Sequence, residues 1–261
     1  MDPQDKRLQT AANRTLAQKP NKVSGGSEMK HRHQQQGFTL VEIAVVLVII
    51  GLLLGGVLKG QELIASARVR NLADQQAGIQ SAYFGFIDRY RAVPGDMSAA
   101  SATSAIGTTI NSGGNEDGRL ADATSAGGAE WDELNGVWEQ LSKAGFIKGS
   151  FNGGSGSAPS AGNSDVSPLN VFSSPLILTR HADYEGTGSA RLLLHLGQNV
   201  PVEIARELDV KLDDGQPQTG TLRNALSTDD TQPYYSAAGC LDGTEWDVAD
   251  GVTNCNPTYL F

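Results

Sequence analysis

Glu42 is the one charged residue in the 21-residue stretch from Phe38 to Leu58. A carboxylate at membrane depth costs roughly a few kcal/mol or more, and residues of this kind are usually functional. If the chain is cut after Gly37, a new α-amino group appears at Phe38, one helical turn from Glu42. Glu42 is then placed to pair with its own amino terminus or with that of a neighbouring chain. The simpler alternative is that Glu42 stays hydrated at the membrane interface.

The apolar stretch around Glu42 is long enough to cross a membrane. At about 1.5 Å per residue, roughly 20 apolar residues span a bilayer core of about 30 Å, and residues 43–58 contain no charge. A secretory signal is the main alternative, because Ala65-Ser66-Ala67 offers a small-residue cleavage site. Two observations argue against a secretory signal. Lys59 and Glu62 lie between the apolar run and the Ala65-Ser66-Ala67 site, and the helical pattern continues past that site. We therefore expect a transmembrane helix over residues 38–58.

Residues 1–37 are polar, show no apolar periodicity and are predicted to be a leader that is removed. Met29 begins a compact basic segment and is the expected true start, and His31 and His33 belong to this cationic leader rather than to a metal site. The leader carries seven Lys/Arg against three Asp/Glu, whereas the rest of the chain carries 13 against 26. The basic leader places the N-terminus in the cytoplasm. The acidic remainder argues against a nucleic-acid-binding surface.

The segment Gly37-Phe38-Thr39-Leu40-Val41-Glu42, followed by the apolar helix, resembles the class III signal of type IV pilins and type II secretion pseudopilins. The resemblance is strong from Gly37 to about Asp96 and weak beyond it. It implies that a prepilin peptidase cuts after Gly37 and methylates the new N-terminal Phe38. It also implies that Glu42, as the fifth mature residue, helps subunits dock into a growing filament.

The expected fold is α+β, with the long N-terminal helix packed on an antiparallel β-sheet head, and no cofactor is expected. The implied partners are the prepilin peptidase/methyltransferase, other pilin subunits, an inner-membrane assembly platform and membrane lipids.

The helix is predicted to continue to about Arg91. After Lys59 the pattern becomes amphipathic, and Pro94-Gly95-Asp96 ends it. Residues 59–96 are therefore expected to pack an apolar stripe against the head. The apolar residues of this stripe recur every seven positions, at Ala65, Leu72, Ile79 and Phe86.

Four glycines punctuate the helix: Gly51, Gly55, Gly56 and Gly60. Their small-xxx-small spacing permits close helix approach, and each weakens the helix by roughly 0.5–1 kcal/mol relative to Ala. In filaments of the family that the chain resembles, this part of the helix can unwind on assembly, and many members have a proline near the position of Lys59. This chain lacks that proline, so local melting is predicted to depend on the glycines alone. Ordinary glycine usage in a transmembrane helix is the alternative.

Residues 97–261 are predicted to form the globular α+β head. The Gly/Ser-rich residues 97–129 and 152–168 are predicted to be loops, and the acidic turn at residues 115–118 does not match the EF-hand template. His195 lies in an apolar run with no acid or nucleophile close in sequence, and is predicted to be structural. The apolar spacing predicts helices over residues 131–146 and 201–212, and strands over residues 171–180, 190–196, 219–225 and 234–240.

Cys240 and Cys255 are too few for a four-thiolate zinc site. In a chain that leaves the cytoplasm, a pair 15 residues apart is predicted to form a disulfide, with two free buried thiols as the alternative. Such a disulfide matches in position the C-terminal disulfide-bounded region of many type IV pilins. The resemblance to calcium-binding pseudopilins also makes Asp213 and Asp214 weak metal candidates. Because two carboxylates fall short of the six to eight oxygens that calcium takes, a hydrated turn is favoured there.

No Gly-rich phosphate loop follows a strand and no Ser/His/Asp arrangement has a recognisable context, so the chain is predicted not to be an enzyme. We expect a prepilin, first a single-pass protein of the bacterial inner membrane and then a structural subunit of a periplasmic or surface filament such as a type IV pilus. A chain that begins at Phe38 has 224 residues, which is large for a major pseudopilin. A minor pseudopilin of a type II secretion system is therefore the nearest alternative. A membrane-tethered binding module that never polymerises and an exported enzyme released after Ala67 are the others.

Overall fold

The computed structural model describes residues 38–123, 128–154, 156–160, 164–226 and 234–261. The predicted leader, with Met29 and Gly37, lies outside these residues. The helices are α1 (Leu40–Tyr90), α2 (Ala99–Ile106), α3 (Gly128–Lys143) and α4 (Val202–Leu212). The strands are β1 (Ile177–His181), β2 (Arg191–His195), β3 (Leu222–Asn224), β4 (Leu241–Asp242), β5 (Glu245–Trp246) and β6 (Pro257–Leu260).

The environment of α1 changes along its length. The large apolar side chains from Phe38 to Ile64 are 45–91% exposed and cover the helix all round, and this part is long and apolar enough to cross a membrane. Farther along the helix, the buried residues follow a stripe: Val69, Leu72, Ala73, Gln76, Ile79, Ala82, Tyr83 and Phe86. Spacings of three, four and seven residues put such positions on one face. The predicted amphipathic part of the helix is therefore present.

The main sheet is antiparallel, with strand order β1-β2-β6-β3. The C-terminal strand β6 lies inside the sheet, where Leu194 of β2 pairs with Tyr259 and Leu222 of β3 pairs with the same residue. Strands β4 and β5 form a separate two-stranded sheet. A long N-terminal helix with this antiparallel sheet confirms the predicted α+β class.

One cluster of buried apolar residues joins the stripe of α1 to α3, α4 and the sheet. Phe86, Trp138, Leu178 and Leu194 all belong to it and are at most 1% exposed. Because each such side chain stabilises the fold by about 1.5–3 kcal/mol when buried, this shared core holds the second part of α1 on the head.

Three of the predicted elements were wrong: a loop, a strand and the start of a second strand. The predicted loop over residues 97–129 contains α2, which is capped by the Ser98 hydroxyl accepting from Ser101 N–H and ended by Gly107 in the left-handed region. This helix buries only Ala102, so it shows no apolar periodicity. The predicted strand over residues 234–240 is absent, and this segment contains a turn at Tyr234 and a 3₁₀ helix at Ala238–Cys240. The strand predicted from residue 171 begins at Ile177, because a turn closed by Leu169 and Pro175 precedes it.

The disulfide between Cys240 and Cys255 is present, and both residues are buried. It joins the segment before β4 to the residues that lead into β6. In the chain-entropy account, closing a loop of about 15 residues stabilises the fold by about 3 kcal/mol. The bond therefore restrains the C-terminal segment at the point where it enters the sheet.

Helix α3 holds the loops around it through buried polar side chains. The Glu139 carboxylate is 0% exposed and accepts hydrogen bonds from the backbone N–H groups of Asn111, Ser112 and Gly153 at 3.0–3.2 Å. It also pairs with Lys143 Nζ at 2.6 Å, one turn along the helix. Several donors of this kind replace the water that a buried carboxylate loses.

The neighbouring Gln140, also 0% exposed, accepts from Gly95 N–H at 2.7 Å and donates to the Met97 carbonyl at 3.0 Å. The long connection between α1 and α3 is thus held by two adjacent polar side chains rather than by apolar packing alone.

We predict that Glu139→Gln lowers the free energy of unfolding by about 2–4 kcal/mol, because an amide N–H₂ then faces backbone donors and Lys143 loses its partner. The measurement is urea unfolding of the full chain in detergent, followed by tryptophan fluorescence. Glu207→Gln, at an exposed position of α4, is the matched control and should change stability by less than about 0.5 kcal/mol. Equal unfolding midpoints for the two variants would contradict the assigned role of Glu139.

Candidate functional site

The start of α1 is closed by a capping box formed by Thr39 and Glu42. The Glu42 carboxylate accepts from the Thr39 backbone N–H at 2.8 Å and from the Thr39 hydroxyl at 2.9 Å. In return, the Glu42 N–H donates to Thr39 Oγ1 at 3.3 Å. Thr-x-x-Glu is the sequence signature of this motif, which satisfies N–H groups that the first helical turn leaves without partners.

The capping box fixes where the Glu42 carboxylate lies. Its oxygen is held at the backbone nitrogen of Thr39, one residue from Phe38, whose side chain is 84% exposed. Among the described residues, Thr39 is therefore the hydrogen-bond partner of the Glu42 carboxylate. The sequence analysis placed Glu42 near Phe38 but did not identify this local partner.

The four glycines of α1, Gly51, Gly55, Gly56 and Gly60, lie within the continuous helix. Apart from the adjacent helix backbone, a Cβ added at any of them would meet no atom within 4 Å. Their small size therefore serves no contact inside the described chain, and the surface that they leave open is free for lipid or for another helix.

Residues 32–58 match the family described as Prokaryotic N-terminal methylation motif. The chain carries the class III signal of type IV pilins and pseudopilins. The matched residues include Thr39, Glu42 and the whole apolar stretch from Phe38 to Leu58, and they stop before the head. No curated protein and no solved structure gave a significant match.

Outside the class III signal, three carboxylates gather at the end of α4. Oxygen atoms of Asp209, Asp213 and Asp214 lie within 4.8 Å of one another. Each carboxylate already accepts hydrogen bonds from nearby groups: Trp246 Nε1 and Gly215 N for Asp209, Thr221 N and Leu222 N for Asp213, and Gln216 N and Thr219 Oγ1 for Asp214. A Cβ at Gly220, which has a φ of 68°, would collide with the Asp213 carboxylate. These contacts describe a tightly closed turn, and three carboxylates fall short of a full calcium shell.

Asp209 is the buried member of this group, at 0% exposure, and its Oδ2 accepts from the Trp246 indole at 2.8 Å. Burial raises the pKa of Asp209 to about 6, and the nearby Asp214 and Asp213 add to the rise. The tryptophan hydrogen bond works in the opposite direction. Sequence reasoning proposed Asp213 and Asp214 and missed Asp209, because its burial depends on a contact 37 residues away.

His195 is buried, in agreement with its predicted structural role, and its ring lies against His181, which the sequence analysis did not single out. The two residues are not paired across the strands, since Ile177 is opposite His195 and His181 is opposite Arg191. Their rings nevertheless reach each other between the neighbouring strands, with the two Nε2 atoms 2.9 Å apart, and no local sequence pattern indicates this contact.

We predict that Thr39→Val weakens the start of α1, because valine keeps the size of threonine but cannot accept from the Glu42 N–H. Loss of such a cap costs about 1 kcal/mol. Amide hydrogen exchange over residues 40–44, measured on the full chain in detergent, should become about fivefold faster. Thr39→Ser keeps the hydroxyl and should retain slow exchange. Equal protection in Val and Ser variants would refute the cap.

We also predict that the indole N–H resonance of Trp246 shifts with a midpoint at about pH 6, as Asp209 gains its proton. Because the pKa of Asp209 is raised in the folded chain, the folded state binds this proton more tightly than the unfolded state. The stability contribution of Asp209 is therefore gained as the pH falls through about 6 and lost above it.

Two controls accompany the NMR titration of Trp246: a variant that lacks the Asp209 carboxylate and the addition of calcium. Asp209→Asn should abolish the shift of Trp246. Millimolar calcium should leave the midpoint in place, since the carboxylates already serve the turn. A clear lowering of the midpoint by calcium would show that the three carboxylates bind the cation.

Proposed function

We propose that the chain is a prepilin that is cleaved after Gly37, N-methylated at Phe38 and assembled as a structural subunit of a type IV pilus or related filament. The observation that carries this proposal is the class III signal at residues 32–58. The geometry supports it, because the signal continues into a helix whose first part is exposed and apolar all round. The motif implies a structural subunit rather than an enzyme.

The precursor is proposed to lie in the inner membrane through residues 38–58, with the basic leader in the cytoplasm. An α-helix satisfies its own backbone hydrogen bonds in lipid, so the apolar stretch is stable there. During assembly, contacts with the same segment of other subunits replace the contacts with lipid. The proposed partners of these steps are the prepilin peptidase/methyltransferase, the inner-membrane assembly platform and other pilin subunits.

Glu42 is proposed to neutralise a terminal ammonium group in the filament. In the uncleaved chain its carboxylate is held at the Thr39 nitrogen by the capping box. Cleavage after Gly37 creates an ammonium group at Phe38, one residue away, and methylation of an amine keeps its positive charge. A carboxylate that stays at the helix N-terminus can accept from this group or from that of a neighbouring subunit. Such pairing offsets the cost of burying either charge among apolar helices.

The four glycines of α1 are proposed to allow local melting of the helix when a subunit leaves the membrane. They fall within residues 51–60, and none of them makes a contact that an added Cβ would break. With about 0.5–1 kcal/mol of helix stability lost at each glycine, this is the weakest part of α1.

A minor pseudopilin of a secretion system is the second candidate. The same signal serves both kinds of subunit, so the proposed processing and the role of Glu42 are common to the two.

We predict that mass spectrometry of the mature protein from cells with an active prepilin peptidase finds an N-methylated Phe38 terminus. Glu42→Ala should leave this processing intact and reduce the amount of the chain in sheared filaments at least tenfold, because an ammonium group then remains unpaired. Glu62→Ala is the matched control, since Glu62 is an exposed acid of the same helix paired with Lys59.

An intact leader, or a terminus after Ala67, would overturn the prepilin proposal. Normal filament incorporation of Glu42→Ala would remove the assembly role of Glu42. Correct processing without recovery in any filament would favour a membrane-tethered module that does not polymerise.

A further inference from the structure

A pair of buried histidines lies at the centre of the head. His181 of β1 and His195 of β2 are 1% and 0% exposed, and their Nε2 atoms are 2.9 Å apart. The two rings are nearly parallel, with 11° between their planes and 5.1 Å between their centres. A hydrogen bond between two Nε2 atoms requires that one of them carries a proton and that the other does not.

The surrounding hydrogen bonds decide which nitrogen carries each proton. The Asp183 backbone N–H donates to His181 Nδ1 at 2.9 Å, so Nδ1 is unprotonated and the His181 proton is on Nε2. His181 therefore donates to His195 Nε2, and the His195 proton is on Nδ1. From there it is donated to Thr258 Oγ1 of β6 at 2.8 Å. The Thr258 hydroxyl donates in turn to the Asn256 carbonyl at 3.3 Å. The hydrogen bonds of this network therefore all run in one donor-to-acceptor direction across β1, β2 and β6.

This hydrogen-bond network accepts no additional proton unless one of its hydrogen bonds breaks. A second proton on His181 Nδ1 would face the Asp183 N–H, and a second proton on His195 Nε2 would face the His181 N–H. Water cannot stabilise the charged rings, because both are buried. Burial therefore holds the pKa of His181 below its ordinary value and that of His195 well below it, and the neighbouring His181 lowers the pKa of His195 further.

The charged groups around the pair only partly oppose this effect. Asp122 and Asp183 favour a positive charge on His181. A positive charge on His195 would in addition meet that of His181. Among the described residues, Tyr234 packs against the pair, with its ring centre 5.4 Å and 5.7 Å from the two histidine rings. Arg191 is opposite His181 in the strand register.

We propose that this hydrogen-bonded network, from Asp183 through His181 and His195 to Thr258, holds the sheet together at neutral pH and fails in acid. While both rings are neutral, it joins β1, β2 and β6 through side chains in addition to the backbone ladder. When the pH falls below the ordinary range of histidine, the opened state takes up protons that the closed state cannot hold. The head therefore opens at this point in mildly acidic surroundings.

The direction follows from the lowered pKa values of the two histidines in the folded chain. Below the ordinary histidine pKa of about 6.5, the opened state binds up to two more protons than the closed state. The equilibrium constant for opening then rises up to about 100-fold for each pH unit, one factor of ten for each proton. Two buried carboxyls act in the opposite direction, because burial raises the pKa of Glu133 to about 7 and that of Asp209 to about 6. The pH dependence of global stability alone would therefore mix the two effects.

The direct test is histidine ¹⁵N NMR of the full chain in detergent between pH 8 and pH 5. We expect His181 as the Nε2–H tautomer and His195 as the Nδ1–H tautomer, with neither ring titrating in the folded state. Below about pH 6 the signals of both folded rings should disappear together and be replaced by signals of charged histidine. Either ring titrating normally near pH 6.5 in the folded chain, or a different pair of tautomers, would overturn the proposal.

Hydrogen exchange of β1 and β2 amides gives a second, independent readout. In the unaltered chain, exchange should accelerate steeply between pH 6.5 and pH 5 after correction for the intrinsic rate. His181→Gln combined with His195→Gln replaces both titrating rings with neutral amides, and this acceleration should then be lost. If the double variant does not fold, the tautomers and titration of the unaltered chain still decide the matter. Equal acceleration in a folded double variant would show that other groups control the opening.

Discussion

The exposed apolar surface of α1 between Phe38 and Ile64 is the constraint on which the proposed function depends. An α-helix can satisfy its backbone alone, but side chains that are apolar on every face are stable only in lipid or among other apolar side chains. Glu42 is the one charged group at the start of this surface, and Thr39 holds its carboxylate at the helix N-terminus. The same segment can therefore serve a membrane and a protein assembly in turn, with one carboxylate available to neutralise a charge in either.

The head is held together by a different principle, in which buried polar groups position loops around an apolar core. Glu139 and Gln140 of α3 bind backbone groups of the long connection that follows α1, and Asp209 of α4 binds the Trp246 indole. Each of these groups stabilises the fold only while its hydrogen-bond partners are in place. The hydrogen-bonded rings of His181 and His195 stabilise the head only when both rings are neutral. Opposing titrations of this kind favour a stability maximum near neutral pH rather than at an extreme.

Local signals in the sequence were enough to predict α1, the end of that helix near Pro94 and the strand that contains His195. The Thr39-x-x-Glu42 capping box is also a local signal, but the sequence-based prediction for Glu42 named an amino terminus or water as its partner and not Thr39. α2 lacked a signal in apolar spacing, since its formation depends on a Ser98 cap and a Gly107 stop rather than on a buried face. The burial of Glu139 and the pairing of His181 with His195 depend on contacts between residues at least 14 positions apart. No local pattern encodes such contacts, so they appear only once the strands and loops are in register.

The most direct test of the account asks what covers the apolar surface of α1 in the cell. A photoreactive amino acid at Leu47, which is 64% exposed and lies one to two turns after Glu42, would report its neighbour on illumination. The account predicts that, in the sheared filament fraction, Leu47 crosslinks to the N-terminal helix of another filament subunit, and that Glu42→Ala greatly reduces this product. Crosslinks to lipid alone, with no subunit adduct in cells that assemble filaments, would contradict the central claim.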